Sequence, residues 1–555
     1  MFLGLDLSTQ QLKGVVIDES LNVHQEVAVD FDRDLSDYNT IKGVYRNGYE
    51  VFAPVCMWLD AIDLLFERLK ASVDVSKIQA ISGAGQQHAS VFLLKGSKKA
   101  LNSLDAKSSL KQQLESLIHP TSPNWQDAST TKECEELESC IGGAKALADL
   151  TGSKAHLRFT GPQIKRFRRL HPETYENTER IALVSNFLAS VLLQTEAPLD
   201  ISDVCGMNLW DIQNEKFDIR LLEEVAGNSK GPDLANKLGT VEINGAKHLG
   251  PIGKYFVKKY GFSPNCQIIP LTGDNPATIL SLPLRPGKDV LLSLGTSTTA
   301  LMATQNYVCS PEYHMFAHPV TQNHYMVMLC YKNGSLAREQ VRNTINEKYN
   351  VSDNTSWDRF NESILNPNIK GAGEKKQLGL FYPQREILPA VGPGTWRFAI
   401  QGTELYQVDK DEESWDYPDE DASAIVESQN LDIRMRITPL LTGIPQPDRV
   451  YVVGGASRNE AIVFKISQVL GCDVYRLKHG GSNACAVGGA IKAAYAMNGK
   501  GFTFEEYVNK SWDESKKIEL IMNKPSAQTY EEYGKLLPFL KKAEDIAIQQ
   551  SDIRH

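Results

Sequence analysis

Phe2-Leu-Gly-Leu-Asp-Leu-Ser-Thr-Gln-Gln-Leu-Lys-Gly-Val-Val-Ile17 reads as an apolar strand, a tight turn rich in hydroxyl and amide side chains, and a second apolar strand. The pattern returns at mid-chain as Val290-Leu-Leu-Ser-Leu-Gly-Thr-Ser-Thr-Thr-Ala-Leu-Met302. A pattern that recurs once per half marks a duplicated structural unit, so two domains of similar ancestry are expected. Leu282-Pro-Leu-Arg-Pro-Gly287 punctuates the chain between them, giving expected domains over 1–281 and 282–555. Outward from these turns, short β-branched runs alternate with longer helical patterns, which predicts an α/β protein. Strands are expected at 2–6, 14–17, 78–82, 268–271, 290–294 and 450–453, and helices at 55–71, 130–138, 178–193, 460–470 and 486–497. Two polar stretches, 95–123 and the acidic 404–421, read as loops or insertions, the second as a solvated surface loop. The pattern near 530–549 reads as one exposed amphipathic helix.

Composition limits the function classes. At 555 residues, 42% hydrophobic, the chain can bury large cores without disulfide or metal staples. Its formal net charge of −9 argues against a generalised nucleic-acid or anionic-membrane surface, which would be basic. No run of about 18 apolar residues predicts a membrane span. The start has no signal-peptide pattern, and Asp552-Ile-Arg-His555 matches no anchoring or retrieval signal. Nine cysteines without a CxxC pair are expected as free or buried thiols in a reducing cytoplasm.

The chemistry is expected at the turns. A phosphate needs close donors: Gly admits the backbone, Ser and Thr hydroxyls donate, and successive turn N–H groups form an anion-binding concavity. In the first turn Asp6 precedes Ser8, Thr9 and Gln10. A carboxylate among phosphate donors repels them unless a cation intervenes, and Mg²⁺, held by one or two carboxylates with the phosphates, suits that place. The second turn, Gly295-Thr-Ser-Thr298, supplies donors without a carboxylate. Either turn alone is also an ordinary hairpin; the pair is what points to phosphate. Asp448-Arg-Val-Tyr-Val-Val-Gly-Gly-Ala-Ser-Arg-Asn459 predicts a strand ending at Gly454-Gly455, where a flat ligand could lie on backbone, then a helix capped by Ser457. His479-Gly-Gly-Ser-Asn-Ala-Cys-Ala-Val-Gly-Gly489 reads as close helix packing. No GxxxxGK[ST] or helix-opening GxGxxG is present.

In Ile269-Pro-Leu-Thr-Gly-Asp-Asn-Pro-Ala-Thr278, Pro276 is expected at the first helical position, which puts Asp274 at a strand's end and a helix N-terminus. The positive helix end would favour the ionised carboxylate, the form that accepts a proton. A plain helix cap fits the same pattern. Ser82-Gly-Ala-Gly-Gln-Gln-His88 places Gln86, Gln87 and His88 at a strand end, types suited to hydroxyl recognition. Arg158 is a further polar-ligand residue, and Asn124-Trp-Gln-Asp127 a weaker one. His314, His318 and His324 do not complete a metal set: Pro319 and strand-like flanks rule against a zincin helix.

Together these motifs, with Arg158-Phe-Thr-Gly161 and Thr272-Gly-Asp-Asn-Pro276, resemble the FGGY carbohydrate kinase family, most closely its xylulose-phosphorylating eukaryotic branch, over about residues 2–497. The literal FGGY string is absent, with Gly454-Gly-Ala-Ser457 near the usual nucleotide motif. The resemblance implies two actin-like (ribonuclease H-like) ATPase domains facing across a central cleft, and transfer of phosphoryl from ATP to D-xylulose with Mg²⁺. It implies Asp274 as general base and His88, Arg158, Asp274 and Asn275, with Gln87, as sugar contacts. Asp6 is implied for the metal, and Thr9, Gln10, Gly295, Thr296, Trp357, Gly454, Gly455 and Asn459 for the nucleotide. The implied partners are D-xylulose and ATP, with no nucleic acid or membrane, in a monomer or homodimer. Kinases of ribulose or glycerol share the pattern. A non-catalytic ATP-binding switch would keep both turns but would not need the Asp274, His88 and Arg158 set.

Overall fold

The structure is a computed structural model that describes residues 1–365, 377–478 and 483–552. It divides into two compact units: 1–283 with 307–326 and 483–513, and 284–306 with 327–482 and 514–552. Each is mixed helix and sheet.

In the first unit, Phe2–Leu7 pairs antiparallel with Gln11–Ile17, which pairs with Val23–Asp30. On its other flank Phe2–Leu7 runs parallel to Ala80–Gly85, setting Asp6 beside Ala84. The second unit repeats this local arrangement: Asp289–Leu294 is antiparallel to Thr298–Thr304 and parallel to Arg449–Val453, which continues to Asp473–Leu477. The echo in the sequence is thus one strand–turn–strand motif built twice, each with its turn at the C-terminal end of a strand in a parallel pair.

The helix Val55–Ser72 shows why the segments fold as they do. Trp58, Leu59, Ile62, Leu65, Phe66 and Leu69 recur at helical spacing and are all buried. Phe66 meets Phe256, Tyr260 and Phe262 at ring distances of 5.1, 5.6 and 5.4 Å. Each such ring contributes about 1.5–3 kcal/mol by leaving water. The helix Ala484–Asn498 lies close on the first unit's sheet. A Cβ on Gly4 would sit 1.7 Å from Ala486 O, and one on Gly489 2.5 Å from Gly83 Cα. Gly489 therefore serves the close packing expected of that segment; His479 to Ser482 lie outside the described residues, as do residues 553–555.

Several expectations are corrected. Residues 178–183 form a strand paired with Ser90–Leu94, and only Val184–Leu193 is helix. The continuous apolar run Ile181-Ala-Leu-Val184 reads alike in either state until a partner strand decides. Residues 268–271 are not one strand: pairing with Ala80–Gly85 stops after Ile268 and resumes at Thr272, because Pro270 has no N–H to give. The 95–123 stretch is not a plain loop. It holds helices Ser97–Asn102 and Leu110–Leu114, and Leu101, Leu104, Leu110, Leu114 and Ile118 enter the core. The 404–421 stretch is an exposed loop, as expected, over 409–414, but its two ends are not. Glu404–Val408 pairs with Gly394–Gln401, Trp415 is buried, and Asp419, Glu420 and Asp421 are buried at the start of helix Asp419–Ile437. Arg397 grips Asp421 with two bonds of 2.6 and 2.7 Å, and Lys348 reaches Asp419 at 2.6 Å, so the two buried aspartates at this helix start are neutralised in place. The tail is two helices, Ala527–Gly534 and Leu537–Asp552. Leu540, Ala543 and Ala547 of the second join a core with Trp396 and Phe398, and its buried Glu544 pairs with Arg436 at 3.0 Å.

Candidate functional site

Asp6, Thr9, Gln10, Gln87, His88, Arg158, Asp274 and Asn275 all belong to the first unit. The turn between its first two strands is closed by Ser8 N donating to Gln11 O at 3.0 Å. Thr9 Oγ1 accepts from Trp125 Nε1 at 2.9 Å, and Gln86 Oε1 accepts from Asn124 Nδ2 at 2.5 Å, which draws the 124–127 segment to the turn. Gln10 is exposed at the tip. Asp6 is buried, and its Oδ1 has no hydrogen-bond partner among the described residues. Burial raises its pKa against the lowering effects of the Ser8 hydroxyl and Lys13. An orphaned hard oxygen beside a turn of hydroxyls fits a magnesium ion.

The strand Ala80–Gly85 leads directly to Gln87 and His88. His88 takes a left-handed φ of 73°, and its Nδ1 lies 3.0 Å from Gly206 O. A carbonyl only accepts, so Nδ1 carries the proton and Nε2 is left as an acceptor. Burial, then the Arg158 charge, keep this imidazole neutral, its pKa well below the usual histidine range. Phe159 stacks on it at 4.3 Å. Gln87 Oε1 accepts from Asn275 Nδ2 at 3.0 Å, and Asp274 Oδ1 accepts from Asn275 N at 2.8 Å and from Asn275 Nδ2 at 3.1 Å. Gln87, Asp274 and Asn275, from two parallel strand ends, thus form one hydrogen-bonded group.

Asp274 departs from expectation in two ways. It opens the short helix Asp274–Ile279 itself, with Gly273 as the cap and Pro276 third in the first turn rather than first. Its carboxyl is also not simply held ionised by a helix end. Burial first, then the negative charge of Asp6, push its pKa up to about 7, against the N–H groups of Asn275 and Gln87 that pull it down. The side chain stays partly open to solvent. A carboxylate that titrates near neutrality is a competent proton acceptor.

Gly295, Thr296, Trp357, Gly454, Gly455 and Asn459 belong to the second unit. Its turn is backed by the helix Ser335–Lys348, with Ser335 N donating to Gly295 O at 3.0 Å. Thr296 is exposed, and Thr298 Oγ1 is buried with no partner among the described residues. Gly454 has φ 89°, and a Cβ there would lie 2.7 Å from Leu294 O, so only glycine fits. Gly455 differs: a Cβ would meet nothing within 4 Å, leaving a bare backbone shelf beside the turn. A short 3₁₀ turn follows, and Asn459, not Ser457, caps the helix Glu460–Leu470 through a 3.1 Å bond from Ile462 N. Ser457 bonds back to Gly454 O at 2.7 Å instead. Asn459 Nδ2 donates to Asn361 Oδ1 at 2.8 Å, and Asn361 N bonds Trp357 O, which ties the Trp357 segment to this end of the helix. Arg342 covers the Trp357 ring at 4.6 Å.

Residues that sequence reading passed over hold the first unit's group in place. Asp200, fully buried, accepts from Ser202 N, Asp203 N and, at 2.6 Å, Thr272 Oγ1, and pairs with the equally buried Lys492 at 3.0 Å. This anchors the strand end that carries Asp274. Asp203 accepts from Ser185 Oγ at 2.5 Å, and burial raises its pKa to about 8. The available signal was charge in apolar company: Asp200 and Asp203 in Pro198-Leu-Asp-Ile-Ser-Asp-Val204, and Lys492 in Gly489-Ala-Ile-Lys-Ala-Ala494.

Residues 1–281 match the model for the N-terminal domain of the FGGY family of carbohydrate kinases, and residues 290–497 the model for its C-terminal domain. The chain is 48% identical over 565 residues to D-xylulose kinase A of Aspergillus niger, covering 99% of each chain. It is 48% identical over 569 residues to a probable D-xylulose kinase A of Neosartorya fischeri, covering 100% of this chain and 99% of that one. Among solved structures, ligand-bound xylulose kinase from Lactobacillus acidophilus superposes with a TM-score of 0.77 at 16% identity, over 100% of this chain and 99% of the other, which shows a common fold.

Proposed function

The chain belongs to the FGGY family of carbohydrate kinases, with its two-domain actin-like ATPase fold, and from that premise we infer its reaction. It is a xylulokinase: ATP and D-xylulose give ADP and D-xylulose 5-phosphate. Identity of 48% along essentially the whole of chains named D-xylulose kinase A carries this reading.

The geometry supports a role for each of the site residues. Asp274 accepts the proton of the sugar hydroxyl that attacks the γ-phosphorus, and a pKa near 7 suits it to that task at neutral pH. His88 offers Nε2 as an acceptor to a second hydroxyl, since its Nδ1–H is committed to Gly206 O. Arg158 donates to a sugar oxygen, and Asn275 and Gln87 hold Asp274 and complete the polar wall. In the second unit, the Gly295–Thr296 turn receives phosphate oxygens on backbone N–H groups and the threonine hydroxyl, and the Gly454–Gly455 shelf takes the adenosine. In the first, Thr9 and Gln10 face phosphate. Asp6 would hold Mg²⁺, which supplies charge neutralisation to the phosphate oxygens when bound. Phosphoryl transfer needs positioning and charge stabilisation more than covalent chemistry, and these residues provide both.

No described helix is long and apolar enough to cross a membrane. Cys134, Cys205, Cys266 and Cys472 are buried free thiols, which supports a reducing compartment such as the cytoplasm. The test is ADP release by the purified protein with D-xylulose, D-ribulose, L-ribulose or glycerol, and with no acceptor. D-xylulose should give the highest kcat/KM. A rate indifferent to any acceptor, or highest with another one, refutes the assignment.

A further inference from the structure

His314 stands 2% exposed on the strand His314–Ala317, more than 150 positions along the chain from Arg158, yet its Nε2 lies 2.9 Å from an Arg158 Nη2. A guanidinium only donates, so Nε2 must present its lone pair and the ring proton must sit on Nδ1. Nδ1 lies 3.0 Å from Ser153 Oγ, which accepts that proton. Burial, then the charge of Arg158, hold the ring neutral, with its pKa well below the usual histidine range.

The contact is built in from several sides. Met315 N donates to Gly152 O at 2.8 Å, and a Cβ on Gly152 would lie 1.9 Å from Met315 O, so this strand seats directly on the turn that carries Ser153. Phe159 lies 5.2 Å from the His314 ring and stacks on His88 at 4.3 Å, so His314 backs Arg158 directly and His88 through Phe159.

We propose that His314 is a positioning residue for sugar recognition, holding the Arg158 guanidinium in the orientation that donates to an oxygen of the ketose. This rests on the reading of Arg158 as a sugar contact.

The experiment is steady-state kinetics with D-xylulose and ATP on H314L, H314Q, R158A and the R158A/H314L pair. H314L should raise KM for D-xylulose about tenfold or more, the size of a lost hydrogen bond to a charged group. KM for ATP, and kcat at saturating sugar, should stay within about threefold. H314Q, whose amide oxygen can accept from Arg158, should recover most of the loss. In the R158A background H314L should add nothing. If H314L does not fold, H314F replaces it: the ring keeps its packing on Phe159 and Phe316 but cannot accept from Arg158, so KM for the sugar should still rise. Unchanged sugar KM in H314L or H314F, an equal rise in the R158A background, or a parallel rise in KM for ATP overturns the positioning role. An unchanged sugar KM in R158A overturns the sugar assignment of Arg158 itself, and the positioning role with it.

Discussion

Replacing Asp274 by Asn separates proton transfer from binding. The substitution keeps the oxygen that accepts from Asn275 N at 2.8 Å, so the start of the helix Asp274–Ile279 should survive. It removes only the capacity to take a proton and the negative charge. General-base help is typically worth about 10²–10⁴ in rate, or roughly 3–5 kcal/mol of barrier at 1.36 kcal/mol per decade. ATP binding should change little, because the shelf at Gly454–Gly455 lies in the other unit. Sugar affinity should fall by less than turnover does. The pH profile gives an independent reading. Burial and Asp6 raise the pKa of Asp274 to about 7, and the base works only when deprotonated, so the active fraction rises with pH through 7 and falls below it. Between pH 6 and 5, kcat/KM for D-xylulose should drop about tenfold; in D274N that limb should vanish. The assay is coupled ADP release, with D-xylulose varied for kcat/KM and both substrates saturating for kcat, and with ATP affinity by calorimetry and thermal unfolding as controls. D274N retaining more than about a tenth of the parent kcat would refute the base assignment, since that is less than one decade of effect.

Other substitutions test the remaining parts. D6N should weaken Mg²⁺-dependent turnover while sugar affinity, measured without nucleotide by calorimetry, stays within a few-fold of the parent; complete loss of sugar binding in a folded variant contradicts the metal role. G455A should keep its thermal midpoint and raise KM for ATP, since the added methyl meets open space, whereas G454A should lower the midpoint, because of φ 89° and an approach of 2.7 Å to Leu294 O. Equal thermal effects of the two would remove the case for a ligand shelf. K492M leaves the buried Asp200 unpaired and should cost about 3–5 kcal/mol of stability, read from the shift in thermal unfolding. Adding D200N should restore part of it; no restoration would mean that the pair is not what K492M breaks.

What the sequence made legible divides along a physical line. Both strand–turn–strand motifs and the Gly454–Gly455 turn could be read from local pattern, because their chemistry lies in backbone geometry set by neighbours in the chain. Sequence pattern also marked His88 and Asp274 as candidates, since each follows a strand end, and the family resemblance is what gave them roles. Misreadings occurred where a distant partner decides the state. Residues 178–183 are strand only because Ser90–Leu94 lies alongside. The acidic 419–421 segment is buried because Arg397 and Lys348 arrive from elsewhere. Glu544 sits inside because Arg436 meets it.

The same line runs through the site. The placement of Asp274 beside a helix start argued for an ionised carboxylate, but that effect is short-ranged and worth only some tenths to about 1 kcal/mol. Burial and a second carboxylate, Asp6, brought beside it by the parallel pairing of Phe2–Leu7 with Ala80–Gly85, act in the opposite direction and win. Asp6 and Asp274 are far apart in the chain, so nothing in either motif alone discloses the coupling. It follows that the two acids cannot both be charged at little cost until positive charge comes between them. The Asp6 turn and the Asp274 segment, which read as separate motifs in the sequence, are therefore one electrostatic unit in the fold.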